Sequence, residues 1–318
     1  MFLSPGHRIQ KYLKKHPETK VILVMGSRGV TSAIRAITSI LSLSFNVSIG
    51  INKKISPDIV ILDFRSMQNF PLIKPDFVAL TSCYSKKELD YYKPWIQESK
   101  YLFYNYNDID KEVKKELSQH QNSFTYGDER PADFYFENQD SSLHGFKGSF
   151  VDPEDDRIAV FVHLIGEHNL RPVSLAAGIA RSFKIPREQI INAIESLRPL
   201  RGRMSPAEGP NQSTIIDDSA DLSSISIKNG LHAISMLPAA SRIVVIKNIR
   251  RKIPYDPDLI HSIVIIDPDI SVSQNGIFHN FKTEIEAINY IEENAEPDSI
   301  ILLECPLPEL ITHYTLED

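Results

Sequence analysis

The chain has 318 residues, 42% apolar and 24% charged, with a net charge of −6. That length suits two domains with buried cores, and an acidic balance with interspersed signs excludes a basic nucleic-acid footprint. No apolar run approaches the ~18 residues of a membrane span, and the charged start is no secretory signal. The cysteines, Cys83 and Cys305, lie far apart, so no metal or disulfide spacing can be read. A cytoplasmic protein is expected.

In chain order, residues 9–15 predict a short helix before Pro17, and 21–25 (VILVM) a buried strand. That strand runs into Gly26-Ser27-Arg28-Gly29-Val30-Thr31-Ser32. Ile34, Ile37, Ile40 and Leu41 then share one helical face. Residues 58–63 and 76–81 predict further strands, 86–99 a helix broken at Pro94, 101–104 a strand and 109–120 a helix. Residues 134–150 suggest β-hairpins around Gly145 and Gly148. A strand over 158–164 and helices over 172–183 and 187–197 follow.

Residues 198–210 are rich in proline and glycine and form the best linker. The expected domains are therefore 1–202 and 203–318. Strands at 213–216, 242–246, 260–266 and 299–303 alternate with helices at 223–237 and 283–294. This alternation predicts a mainly parallel sheet covered on both faces. The basic run at 247–252 reads as a solvated edge.

Backbone N–H groups at a strand-to-helix turn form an anion site, helped by the helix dipole. Gly26 and Gly29 permit the close approach of a phosphate, and Thr31 and Ser32 offer hydroxyls to Mg²⁺. A plain glycine turn explains the segment equally well. The lysine usual before the hydroxyl pair is replaced by Val30.

The string VILVMGSRGVTSAIRAITSIL resembles the opening of a Mur ligase central domain. DIVILD, YNYND, FTYG and ADFYFEN follow in that family's order. The most specific stretch is IGEHNLRPVSLAAGIARSFKI at 165–185, followed by GRM at 202–204 and IIDDS at 215–219. The order and the GRM–DDS pair are most similar to the UDP-N-acetylmuramoyl-tripeptide–D-alanyl-D-alanine ligase branch.

The resemblance implies an α/β protein: a P-loop-type Mur ligase central domain with a Rossmann-like C-terminal domain. It implies ATP and Mg²⁺ as cofactors and a carboxylate joined to an amine through an acyl phosphate. Gly26, Ser27, Gly29, Thr31 and Ser32 would hold phosphates, with Thr31 and Asp63 on the metal. Asn105, His168 and Asn169 would lie near the adenine, Arg203 would reach a phosphate, and Asp218 would bind the ribose. Plainer readings stand beside these: a helix cap for His168-Asn169, a hinge charge for Arg203, turn residues for Asp217-Asp218.

The sequence departs from the family pattern at several catalytic elements. Val30 replaces the lysine, Asp63 stands where a glutamate is usual, and 81–103 contains no histidine. Ala220 and Asp221 follow DDS in place of the usual aromatic and asparagines. Glu304-Cys305-Pro306 replaces a late KGS, and the uridine-nucleotide domain is not among these residues. A lost phosphate-binding charge costs about 10²–10³ in rate. The expectation is a binding or regulatory protein of peptidoglycan synthesis, with a muramyl-peptide-like ligand or a cell-wall synthesis protein as partner. The alternative is an active ATP-dependent carboxylate–amine ligase.

Overall fold

The computed structural model describes residues 5–51, 56–66, 70–154, 157–247, 259–269 and 273–314. All but the first residue of the 247–252 run lie outside these. The chain divides into two compact units: Met1–Gln139 with Lys147–Val162 and Asn169–Leu197, and Asp140–Phe146 with His163–His168 and Arg198–Asp318.

The first unit begins with α1 (Pro5–Lys15), β1 (Lys20–Met25), α2 (Val30–Leu41), β2 (Val47–Ile49) and β3 (Ile59–Asp63). It continues with β4 (Phe77–Leu80), α3 (Lys86–Glu98), β5 (Tyr101–Asn105), α4 (Lys111–Leu117) and β6 (Ser123–Tyr126). These six strands form one sheet in the order β2-β3-β1-β4-β5-β6, every pair parallel. A parallel strand covered on both faces needs apolar residues at every position. Ile22, Leu23, Val24 and Met25 accordingly have no exposed surface.

β7 (Tyr135–Ser142), β8 (Gly145–Val151) and β9 (Arg157–Val162) form a separate three-stranded sheet, confirming the expected hairpin. α5 (Leu170–Ser182) and α6 (Arg187–Ser196) complete the unit. α2 buries the expected Ile34, Ile37, Ile40 and Leu41, together with Val30, and packs against α5. The buried Asp152 is held by Arg181 at 3.2 Å and Arg187 at 3.1 Å, tying the residue after β8 to α5 and α6.

Two expectations are corrected. α3 continues through Pro94 without a break. Its buried face outweighs the lost hydrogen bond: Leu89, Tyr92, Trp95 and Ile96 are buried, and Trp95 Nε1 donates to the Pro71 carbonyl at 2.9 Å. Residue 109 does not start a helix. Ile109 bridges to Cys83, and α4 begins at Lys111 because the Asp110 side chain accepts from the Glu112 and Val113 N–H groups.

The second unit holds β10 (Ser205–Glu208), β11 (Thr214–Asp217), α7 (Ser224–Ser235), β12 (Arg242–Lys247) and β13 (Ser262–Ile266). After these come β14 (Ser273–Asn275), β15 (Phe278–Phe281), α8 (Glu284–Asn294), β16 (Ile300–Leu303) and α9 (Pro308–Tyr314). The sheet order is β10-β11-β16-β12-β13-β15-β14. Its five central strands are parallel, as expected, and the two edge strands are antiparallel. One face packs on α7 through Leu231 and Ile234, the other on α8 through Ala287 and Ile291. Thr283 and Glu286 close α8 with a reciprocal capping box.

In α5, a Cβ at Gly178 would stand 2.9 Å from the rings of both Phe103 and Phe134. Gly178→Val is therefore expected to lower the unfolding free energy by about 1–3 kcal/mol, read by urea denaturation. An unchanged midpoint would mean that α5 does not sit this close to the sheet.

Candidate functional site

The first unit places its candidate site where β1 turns into α2, beside the end of β4. Gly26 has φ 133° and Gly29 φ 72°. A Cβ at Gly26 would lie 2.3 Å from Thr81 Oγ1 and 2.8 Å from the Ser82 nitrogen, so only glycine fits between the strand ends. Thr81 Oγ1 donates towards the carbonyls of Met25, at 2.9 Å, and Arg28.

Ser82 determines what the loop amides can do. Its buried hydroxyl oxygen accepts from the Ser27 N–H at 3.0 Å and the Arg28 N–H at 3.1 Å. It also lies 3.1 Å from Ser27 Oγ. Donors of this kind otherwise face a bound anion. Val30 is fully buried, so the position usually held by lysine faces the core. Arg28 lies over the Tyr84 ring at 5.9 Å. Its Nη1 is buried with no hydrogen-bond partner among the described residues.

Thr31 is exposed and Ser32 half-buried on the first turn of α2. The first residue after β3, Phe64, is buried, and Arg65 turns back over the site. Its Nε and Nη2 reach Asp63 Oδ1 and Oδ2 at 3.2 and 3.0 Å. Nη2 also donates to Thr31 Oγ1 at 3.3 Å. The structure thus brings Thr31 and Asp63 onto one guanidinium.

Asn105 is buried at the end of β5. Its Oδ1 accepts from the Asn107 and Asp108 N–H groups, and its Nδ2 donates to Asp108 Oδ2 at 3.0 Å. Asp108 accepts from Arg171 at 2.8 Å, and Arg171 clamps Asp128 through two bonds of 2.6 Å. Burial works against the charge on Arg171, but Asp128 and Asp108 outweigh it and hold the guanidinium protonated. Asn105 is thus committed to ordering the turn after β5.

In the second unit, Arg203 is half-buried in the turn that precedes β10. Asp218, just past β11, is 4% exposed. Its Oδ1 accepts from the Met204 N–H at 3.2 Å, and its Oδ2 from Ser226 Oγ at 3.4 Å. His168 lies in the short helical turn before α5, and Asn169 is the residue preceding that helix. Asn169 makes no side-chain capping bond to it. Among the described residues, no group of three or more His, Cys, Asp or Glu is arranged for a metal ion.

Comparison of the fold with solved structures is decisive about its class. The chain is similar to MurF ligase from Thermotoga maritima in complex with ADP, with a TM-score of 0.77 at 12% identity over 95% of this chain and 79% of that one. The chain has the Mur ligase fold. It is also similar to the UDP-N-acetylmuramoylalanyl-D-glutamyl-2,6-diaminopimelate–D-alanyl-D-alanyl ligase of Acinetobacter baumannii, with a TM-score of 0.73, 14% identity, and 97% and 77% coverage. A folylpolyglutamate synthetase from Lactobacillus casei shares the fold, with a TM-score of 0.67, 13% identity, and 96% and 93% coverage. No protein-family model and no curated protein matches the sequence. The neighbours agree with the branch named by the GRM and DDS segments.

Three residues in this Mur ligase fold escaped sequence reasoning. Ser82 and Arg65 meet the loop from 55 and 34 residues away, and Arg171 follows the HN pair. The Asp63-x-Arg65 spacing was the one local signal.

Ser82→Ala leaves the Ser27 and Arg28 N–H groups without their acceptor. The expected results are faster hydrogen exchange at those two amides and a stability loss of about 1–3 kcal/mol. Unchanged exchange would mean that the hydroxyl does not close the loop.

Proposed function

We propose that this chain is a Mur-ligase-fold protein without ATP-dependent amide-bond formation, serving a binding or regulatory role in cell-wall synthesis. The reading rests on one observation: the phosphate loop is satisfied by the protein itself. Ser82 accepts from the loop amides, and Arg65 holds both residues expected on the metal.

Phosphoryl transfer needs free N–H donors, a lysine charge and a divalent cation on the outer phosphates. Here Val30 faces the core. Mg²⁺ requires near-octahedral oxygen ligands. Asp63 is the single carboxylate expected there, and its oxygens already accept from Arg65. The guanidinium adds a charge of the same sign as the metal. The residues as arranged do not fit Mg²⁺.

The fold links the chain to ligases of muramyl-peptide assembly, so a muramyl-peptide-like molecule or a cell-wall synthesis protein is the partner proposed. The active-ligase reading draws on the retained Gly26, Gly29 and Thr31.

Calorimetry with ATP and Mg²⁺, paired with phosphate-release assays using muramyl-peptide carboxylates and amine acceptors, separates the two. The expected outcome is no amine-dependent phosphate release, also in Val30→Lys, because Ser82 and Arg65 remain. Amine-dependent release by the unaltered protein would establish the ligase instead.

A further inference from the structure

Asp218 and Glu304 are the first residues past β11 and β16, which are adjacent and parallel, with Asp217 opposite Leu303. The two side chains are 4% and 1% exposed. Asp218 spends its oxygens on the Met204 N–H and Ser226 Oγ. Neither oxygen of Glu304 has a hydrogen-bond partner among the described residues. A buried, unpartnered carboxylate is costly unless it keeps its proton.

Both carboxyls converge on one point of α7. A Cβ at Gly230 would stand 2.3 Å from Glu304 Oε1 and 3.3 Å from Asp218 Oδ2. The helix seats directly on the pair. Asp218 also fixes the preceding turn, because its partner Met204 has φ 52° with a fully buried side chain. That conformation is strained for a residue with a Cβ and persists only when its surroundings impose it.

We propose that Asp218 and Glu304 form a proton-holding latch in the second unit. With a proton retained on Glu304, the carboxyls seat α7 and fix the turn at Gly202–Met204; losing it loosens both.

The neighbouring charges are consistent with this. Burial first, and then the charges of Asp218 and Asp221, push Glu304 up to about 9. Burial pushes Asp218 up to about 7, against the pull of the Met204 N–H, Ser226 and Arg203 and with a further push from Asp221. The flanking Cys305 thiol is also pushed up, to about 12, chiefly by burial, and stays neutral. Lys247, at the end of β12, is paired with Glu284. The titratable residues of α7, Lys228 and His232, are exposed.

The sign follows from linkage. Folded Glu304 binds a proton between its ordinary 4.5 and about 9, whereas the unfolded chain does not. Its contribution is fully present below the ordinary value and is lost as pH rises through that window.

The test is thermal unfolding of the full chain from pH 5 to 9.5, with Glu304→Gln alongside. The wild-type midpoint is expected to fall as pH rises. The variant, which keeps the shape without the charge, is expected to give a flatter profile, higher by at least about 3 °C above pH 8. The Met204 amide resonance should titrate with the pair in the wild type and not in the variant. A variant profile parallel to wild type, or lower at every pH, would overturn the latch. Should the variant not fold, carboxyl carbon NMR of the wild type decides: a Glu304 signal protonated at pH 7 supports the proposal, and one titrating near the ordinary value overturns it.

Discussion

One hydroxyl organises the candidate site: Ser82 Oγ, buried at the end of β4, accepts from two successive backbone N–H groups of the loop between β1 and α2. Those groups are the donors expected to face a phosphate, and an unpaired buried donor costs about 1–3 kcal/mol. In an empty phosphate loop water or an anion meets that need. Here an internal oxygen does so, and Gly26 and Gly29 hold the loop close enough for it. The loop amides are thereby satisfied from within the protein, which is the ground of the proposed function.

The same substitution of internal for external partners recurs beside it. Arg65 bonds Thr31 and both oxygens of Asp63. An exposed pair of this kind contributes only about 0–1 kcal/mol, so its weight lies in charge rather than stability. It offsets the charge of Asp63, the carboxylate expected on the metal. Val30 turns the lysine's position into core. These independent features support the proposed loss of Mg²⁺ and nucleotide binding, while the sheet and its helices are those of a Mur ligase fold.

How much of this the sequence reveals depends on where each contact originates. Strands buried on both faces, such as residues 59–62 and Ile300–Leu303, are legible because every such position must be apolar. The edge strands Val47–Ile49 and Ser205–Glu208 are not, because neighbours pair them and no repeating pattern marks them. Thr31 of the loop and Asp63 meet on the Arg65 guanidinium. The partners of the loop are hidden, since Ser82 and Arg65 reach it across 55 and 34 residues, joined only by the parallel crossover connections. Glu304 was visible as a departure from a motif, but its burial against Gly230 belongs to the packing of α7.

The most direct test is a crystal structure grown with millimolar ATP and Mg²⁺. The expected result is a closed loop: Ser82 Oγ remains near 3 Å from the Ser27 and Arg28 nitrogens, Arg65 stays on Asp63 and Thr31, and no phosphate density lies on the loop. A triphosphate on those amides, with Mg²⁺ on Thr31 and Asp63 and Arg65 swung away, would contradict it.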